Sequence, residues 1–291
     1  MEFRYHRPAT VADACALGQR LGAGAAFLAG GTELVPDYQR GRETAGDLIA
    51  LAGIPGLRGI ESGGDTLRIG SLTTVADVAR SPLVARWLPA LAEAARALGS
   101  PAIRNRATVG GNFCRAVSCA DLPPAALVAG ARLRIATPGG ARDVAAAEFF
   151  VGARRTVLGP GELLTDLLLP APPAGRGTRF ERFSLRRGMA LAVASVAARL
   201  DVERGVIAGA AIALGAVAPT PMLVPEAAEL LRGGRPSAAL FERAAEVCAA
   251  ASLPIGDVRG SAGHRRRVVR VLVRRALERA AARATTEGPV S

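Results

Sequence analysis

The sequence predicts an α+β chain of about two domains, and three observations carry that reading. Half of its 291 residues are apolar, enough to bury a substantial core. Helix-like and strand-like patterns alternate along it, with short β-forming runs that end in glycine pairs. Prolines and glycines cluster over 170–177 and read as a linker between two such stretches.

Taken in order, Thr10 and Asp13 have the form of a capping-box variant, and Val11, Ala14, Leu17 and Leu21 keep helical spacing, which predicts a helix over 11–21. Gly22 and Gly24 end it. Residues 25–29 read as a strand running into Gly30 and Gly31, followed by a helical segment at 34–40 and a strand at 47–51. Ile54, Pro55 and Gly56 mark a boundary. Strands at 57–61 and 66–69 flank Gly63, Gly64 and Asp65 as a hairpin, and Thr73 or Thr74 caps the next helix. Leu83, Trp87, Leu88, Leu91, Ala95 and Leu98 draw one apolar stripe, which predicts a single helix over 83–98. A strand at 131–137, a turn at Gly139 and Gly140, and the segment 157–169 close this unit. Past the linker, 180–185, 192–202 and 206–214 read as strands before three helical segments, the last over 264–284. In that helix Val268 or Val269, Leu272, Val273, Ala276 and Leu277 form a stripe, with Arg267, Arg270, Arg274 and Arg275 mostly off it, the pattern of a docked helix with a solvated basic face. The divisions that result are 1–55, 56–172 and 178–286.

Composition removes several function classes. The formal charge is +12, and every basic residue other than the two histidines is arginine. A chain without lysine has neither a Walker A phosphate loop nor Schiff-base chemistry. A dinucleotide fingerprint at Gly22 and Gly24 fails, because the pair precedes its strand and the third glycine would fall at Phe27. The arginines are scattered apart from one concentration near the C-terminus, so binding to nucleic acid is a minor alternative that salt-sensitive association without a cofactor would favour. The first residues lack the apolar core of a signal peptide, and cysteines at 15, 114, 119 and 248 make no dense disulfide framework, so a cytoplasmic setting is expected. The apolar run 206–224 is interrupted by Pro219 and Pro221, which suits buried strands better than a membrane span.

The most informative stretch is 103–127. Apolar β-formers lead into Gly110 and Gly111, then come Asn112, two cysteines, and Asp121 ahead of Leu122, Pro123 and Pro124. Glycine permits a tight turn and close approach of a ligand to backbone N–H groups, so the segment reads as an anion-holding loop. The same device precedes it at Gly30 and Gly31, and two such loops suit the two phosphates of a diphosphate. The plain alternative for each pair is a surface turn.

Together these residues carry a family resemblance. Leu28, Ala29, Gly30, Gly31, Thr32, Glu33 and Leu34; Ile103, Arg104 and Asn105; Thr108, Val109, Gly110, Gly111 and Asn112; Ala120, Asp121, Leu122, Pro123 and Pro124; Phe149, Phe150 and Gly152; Pro160, Gly161, Glu162, Leu163 and Leu164; and Arg186 and Arg187 ahead of Ala192 span nearly the whole chain. In this order they resemble the FAD-binding subunit of the xanthine dehydrogenase and carbon monoxide dehydrogenase family of molybdenum hydroxylases. The resemblance implies a two-subdomain FAD-binding domain of the vanillyl-alcohol-oxidase (PCMH) type over 1–55 and 56–172, followed by a smaller α+β domain over 178–286. It implies FAD as cofactor, a molybdopterin-containing large subunit and a [2Fe-2S] small subunit as partners, and NAD, a quinone or oxygen as external electron acceptor.

The roles it implies follow the chemistry of FAD. In the cofactor-binding run Leu28 to Leu34, which includes Glu33, backbone N–H groups at Ala29, Gly30, Gly31 and Thr32, with the Thr32 hydroxyl, hold one side of the diphosphate, and Thr108, Gly110, Gly111 and Asn112 hold the other. Asp121 binds the sugar portion and also stands as an N-cap. The Leu164 backbone approaches the ring edge. Arg182 stabilises negative charge at the pyrimidine end, the alternative being a surface strand position. No catalytic acid or base is required, since the cofactor supplies the redox chemistry. A stand-alone flavin oxidase or reductase is the competing function on the same fold. Two departures stand out: Ala190 occupies a position where relatives often carry Asp, and Cys114 and Cys119 replace small or polar residues, as packed thiols or as a redox pair. Without an inserted four-cysteine loop, no iron-sulfur cluster is expected on this chain. His6 and His264 have no metal-ligand spacing and receive no chemistry.

Overall fold

Local chemistry starts the first helix. In the computed structural model, which describes residues 3–186 and 188–286, α1 spans Val11–Leu21, and the Thr10 hydroxyl accepts from Asp13 N at 3.0 Å while donating to the Asp13 carboxylate at 2.7 Å. Arg187 lies outside the described residues. Three short strands, β1 (Arg4–His6), β2 (Ala25–Leu28) and β3 (Asp47–Ala50), form a parallel sheet in the order β1-β3-β2. Asp47 fastens its edge by pairing with Arg4 and with His6, both at 2.6 Å. The helix α2 (Leu34–Gln39) follows the first glycine pair.

An antiparallel sheet of five strands comes next, in the order β4-β5-β10-β6-β7: β4 (Ile60–Gly63), β5 (Thr66–Gly70), β6 (Arg132–Thr137), β7 (Gly140–Ala145) and β10 (Leu163–Pro170). A separate small ribbon pairs β8 (Phe150–Gly152) with β9 (Arg155–Thr156). Between β5 and β6 the chain runs through α3 (Val75–Arg80), α4 (Pro82–Trp87), α5 (Pro89–Ala97), α6 (Pro101–Arg104), α7 (Val109–Cys114) and α8 (Leu122–Ala129). Thr74 caps α3, its hydroxyl accepting from Asp77 N at 3.1 Å.

Two expectations need correction. The single helix over 83–98 is two, because Pro89 lacks an N–H and pushes Leu88 to φ −148, ψ 78, outside the helical region. The apolar stripe survives the break, since Leu88, Leu91, Ala95 and Leu98 all enter the main core. In the segment that closes this unit β10 starts at Leu163; before it the chain bends at Gly161, whose Cβ would stand 2.6 Å from the Cys15 carbonyl, so only glycine lets this bend rest on α1. Gly110 and Gly111 lie in α7 itself, so the second glycine pair is a helix start and not a loop fed by a strand.

The last part is a four-stranded antiparallel sheet, β11 (Arg176–Phe183), β12 (Ala194–Glu203), β13 (Val206–Gly215) and β14 (Met222–Leu223), covered by α9 (Pro225–Leu231), α10 (Ala238–Ala251) and α11 (Ala262–Thr286). The stripe Val269, Leu272, Val273, Ala276 and Leu277 is buried, as its period predicts. A Cβ on Gly177 would stand 1.9 Å from the Ala280 carbonyl, so α11 lies directly on β11. Its basic side is partly neutralised: Arg270 pairs with Glu242 and Glu246, and Arg274 reaches Glu242 at 3.9 Å. This sheet joins the preceding one through Glu93 on α5, which receives Arg179 at 2.9 Å, Phe180 N at 2.9 Å and Arg283 at 2.6 Å. Phe180, Ala197 and Ala213 of the last sheet share the main core with Leu91, Phe113 and Leu127. No helix among the described residues is long and apolar enough to cross a membrane.

Candidate functional site

The loop of the first glycine pair meets the chain that leads into the second. A Cβ on Gly30 would stand 1.9 Å from the Arg106 carbonyl oxygen and 3.3 Å from Ala107 Cα, so the loop after β2 rests against the backbone leading into α7. Beside this contact opens a cleft lined by Ala29, Gly30, Thr74, Asn105, Arg106 and Thr108 among others. Gly31 holds φ +74 at the turn. Among the described residues no acceptor takes the N–H groups of Gly30, Gly31 or Thr32, and these are the donors an anion needs.

The second pair contributes differently from the expectation. Thr108, buried, caps α7 by accepting from Gly111 N at 3.1 Å, and Gly110 N donates to the Ser71 carbonyl at 2.7 Å. Both amides already have partners, so in this arrangement the pair serves as a close-packed base: a Cβ on Gly110 would meet Ser71 Cβ at 2.8 Å. Asn112, one turn on, accepts from Leu122 N through Oδ1 at 3.3 Å. It therefore takes the capping role expected of Asp121, which sits at the N-cap of α8 without a cap bond.

Asp121 is left for other work. It is 5% exposed, and its Oδ1 lies 3.3 Å from Arg182 Nε, near enough for an ion pair but poorly aligned for a hydrogen bond, so both atoms lack hydrogen-bond partners. Burial pushes the Asp121 carboxyl up to about 6, with the Arg182 charge opposing. Arg182, on β11, is no surface residue: its two terminal nitrogens donate to the Ala97 and Ala190 carbonyls. Leu28, Ala29, Glu33 and Leu34 flank the first loop. Leu164 stands apart, with its side chain in the core and its backbone paired with Ile135, while the ladder to β5 begins only at Asp166.

From Gly30 to Arg182 the contacts run without a gap, through Arg106, Thr108, Gly111, Asn112 and the start of α8. Residues 1–172 match the family described as FAD binding domain in molybdopterin dehydrogenase, and 180–280 match the CO dehydrogenase flavoprotein C-terminal domain. The chain belongs to the FAD-binding flavoprotein subunits of the molybdenum hydroxylases. It is 37% identical to the carbon monoxide dehydrogenase medium chain of Afipia carboxidovorans over 97% of its own length and 98% of the relative's. It is 33% identical to the nicotine 6-hydroxylase medium subunit of Paenarthrobacter nicotinovorans, over 96% and 98%. Its backbone superposes on a solved Cu,Mo-CO dehydrogenase chain, in the cyanide-inactivated form, with a TM-score of 0.94 at 36% identity, covering 97% of this chain and 99% of that one. This flavoprotein is therefore an oxidoreductase subunit with FAD as its cofactor, and its fold is the α+β arrangement of an FAD-binding domain and a C-terminal domain.

The residues present suit that cofactor: open amides and a glycine-only contact at one end, and at the other a buried carboxylate, ion-paired with an arginine, whose Oδ1 has no hydrogen-bond donor. The sequence reading missed Arg115, at the end of α7, which pairs with Asp37 and lies 3.5 Å from Glu33 Oε2. Its signal was present, since Glu33 and Asp37 are four apart and share one face of α2. Cys114 is exposed, and Cys119 lies against Arg259 with its thiol raised by burial. All four cysteines are free.

Proposed function

We propose that this flavoprotein subunit is the electron outlet of a heteromeric molybdenum hydroxylase. FAD, when bound, supplies the redox centre, taking electrons from the [2Fe-2S] clusters of a small partner subunit after hydroxylation on a molybdopterin-containing large subunit, and yielding them to NAD, a quinone or oxygen. The chain's residues bind and orient. The N–H groups of Ala29, Gly30, Gly31 and Thr32, with the Thr32 hydroxyl, hold the diphosphate on one side, and the α7 start from Thr108 through Gly110 and Gly111 to Asn112 forms the other wall. Leu28, Glu33 and Leu34 shape the loop. Asp121 accepts from sugar hydroxyls, Leu164 sets the ring edge through its backbone, and Arg182 stabilises negative charge at the pyrimidine end. In this reading 1–55 and 56–172 are the two halves of the FAD-binding domain, and 178–286 closes the pocket by delivering Arg182. A reducing cytoplasm suits four free thiols.

The observation that carries the reading is the contact of Gly30 with Arg106, which turns two distant glycine motifs into one cleft. Purification followed by an absorbance spectrum, with acid release to identify the nucleotide, tests it. Flavin bands and released FAD are expected. A colourless protein that FAD does not reconstitute defeats it.

A further inference from the structure

Two arginines at the cleft have no role in the glycine motifs. Arg58 follows Leu57 in the connection into the five-stranded sheet, Arg106 precedes α7, and both line the cleft beside Gly30, Asn105 and Thr108. Both are exposed, and among the described residues neither guanidinium has a carboxylate or carbonyl partner. Nearby acids are already engaged: Glu33 and Asp37 with Arg115, Asp77 with Arg80 and the Thr74 hydroxyl, Glu61 and Asp166 with Arg68. Two unneutralised cations therefore flank a concavity whose lining includes Gly30, with its unpaired N–H group. Like charges gathered there repel each other until an anion joins them.

We infer that Arg58 and Arg106 are specificity-determining residues for the diphosphate of the dinucleotide flavin, a pair of cations that selects FAD over unphosphorylated flavin. The inference rests on the flavin-binding reading above. A diphosphate bridge carries two negative charges and several acceptor oxygens, matching two guanidinium groups plus the Gly30 amide in the same cleft, with the unpaired Gly31 and Thr32 amides next along the loop. Aligned amides hold the bridge in place. The arginines supply the net charge that amides lack, and they make recognition depend on salt.

The test titrates the full chain, in the assembly in which it is purified and stripped of flavin, with FAD and with riboflavin. Wild type is compared with Arg58→Ala, Arg106→Ala, the double variant and the two Arg→Lys variants. Each alanine variant is expected to weaken FAD about 10-fold or more, as loss of a charge-assisted contact implies, and the double variant to flatten the salt dependence. Riboflavin affinity stays unchanged, and lysine restores part of the loss as a point charge. FAD binding within twofold of wild type in the double variant overturns the assignment, and so does a parallel loss of FAD and riboflavin, which marks a structural role. A wild type that binds neither ligand overturns the flavin-binding reading itself, and with it this assignment; it is distinguished because the failure precedes any substitution.

Discussion

Gly30→Ala is the most direct probe of the cleft. The added methyl would stand 1.9 Å from the Arg106 oxygen, 2.8 Å from its carbonyl carbon and 3.3 Å from Ala107 Cα. All three atoms are backbone, so no side chain can swing aside, and the walls must part by about 1.5 Å to reach ordinary contact. Overpacking of this kind costs about 1–3 kcal/mol. Where the strain falls on the closed, ligand-holding geometry, that is roughly a 5- to 150-fold rise in the Kd for FAD. Gly53→Ala is the matched control, since its added methyl meets nothing within 4 Å. The assay is a flavin titration by fluorescence quenching together with a thermal melt of the flavin-free chain. Gly30→Ala with unchanged FAD affinity and unchanged Tm, alongside an innocuous Gly53→Ala, would refute the claim that the two motifs are pressed into one site.

Two further expectations follow from the same geometry. The Asp121 carboxyl is raised to about 6, so the flavin-free folded chain holds this proton more tightly than the unfolded chain, and stability is lost as pH rises through 6. Wild type should gain Tm on going from about pH 8 to about pH 5, and Asp121→Asn should flatten that gain; parallel profiles for the two proteins contradict it. Arg115→Ala removes the cation that ties α2 to the end of α7, leaving Asp37, 6% exposed, without its partner. A double-mutant cycle with Asp37→Ala should return a coupling of about 1–3 kcal/mol in unfolding free energy, and a coupling near zero shows that the bridge contributes nothing.

The sequence made most of the fold legible where the signal was local. Thr10 and Thr74 capped their helices, the stripe of the last helix was buried, and the hairpin at 60–70 closed around Gly63 and Gly64. It misled where two local signals competed. At Leu88 the apolar period continued through a residue that Pro89 holds out of the helix. At Gly110 the glycine pair suggested a loop, yet Thr108 is a strong N-cap and its hydroxyl starts a helix through Gly111 N. At Asp121 proline in the first turn suggested a cap, and Asn112, ten residues earlier, took it. In each case a nearby residue, Pro89, Thr108 or Asn112, overrode the signal.

The site itself was half legible for the same reason. Glycine pairs advertise close approach in the sequence, but they do not say what approaches, and here the answer was another backbone: Arg106 against Gly30, Ser71 against Gly110. The charged partners carry no local signature at all. Arg115 and Asp37 lie 78 positions apart, and Arg283 reaches Glu93 across 190. These distant pairs hold three sheets in register, so that a loop from the first, a helix start from the second and an arginine from the third border one cleft and its continuation. Such a site has no independently stable part, because each wall is fixed by a contact to a different sheet. Substitutions far from the cleft, at Glu93 or Asp37, should therefore reach ligand affinity through geometry, whereas those at Arg58 and Arg106 reach it through charge.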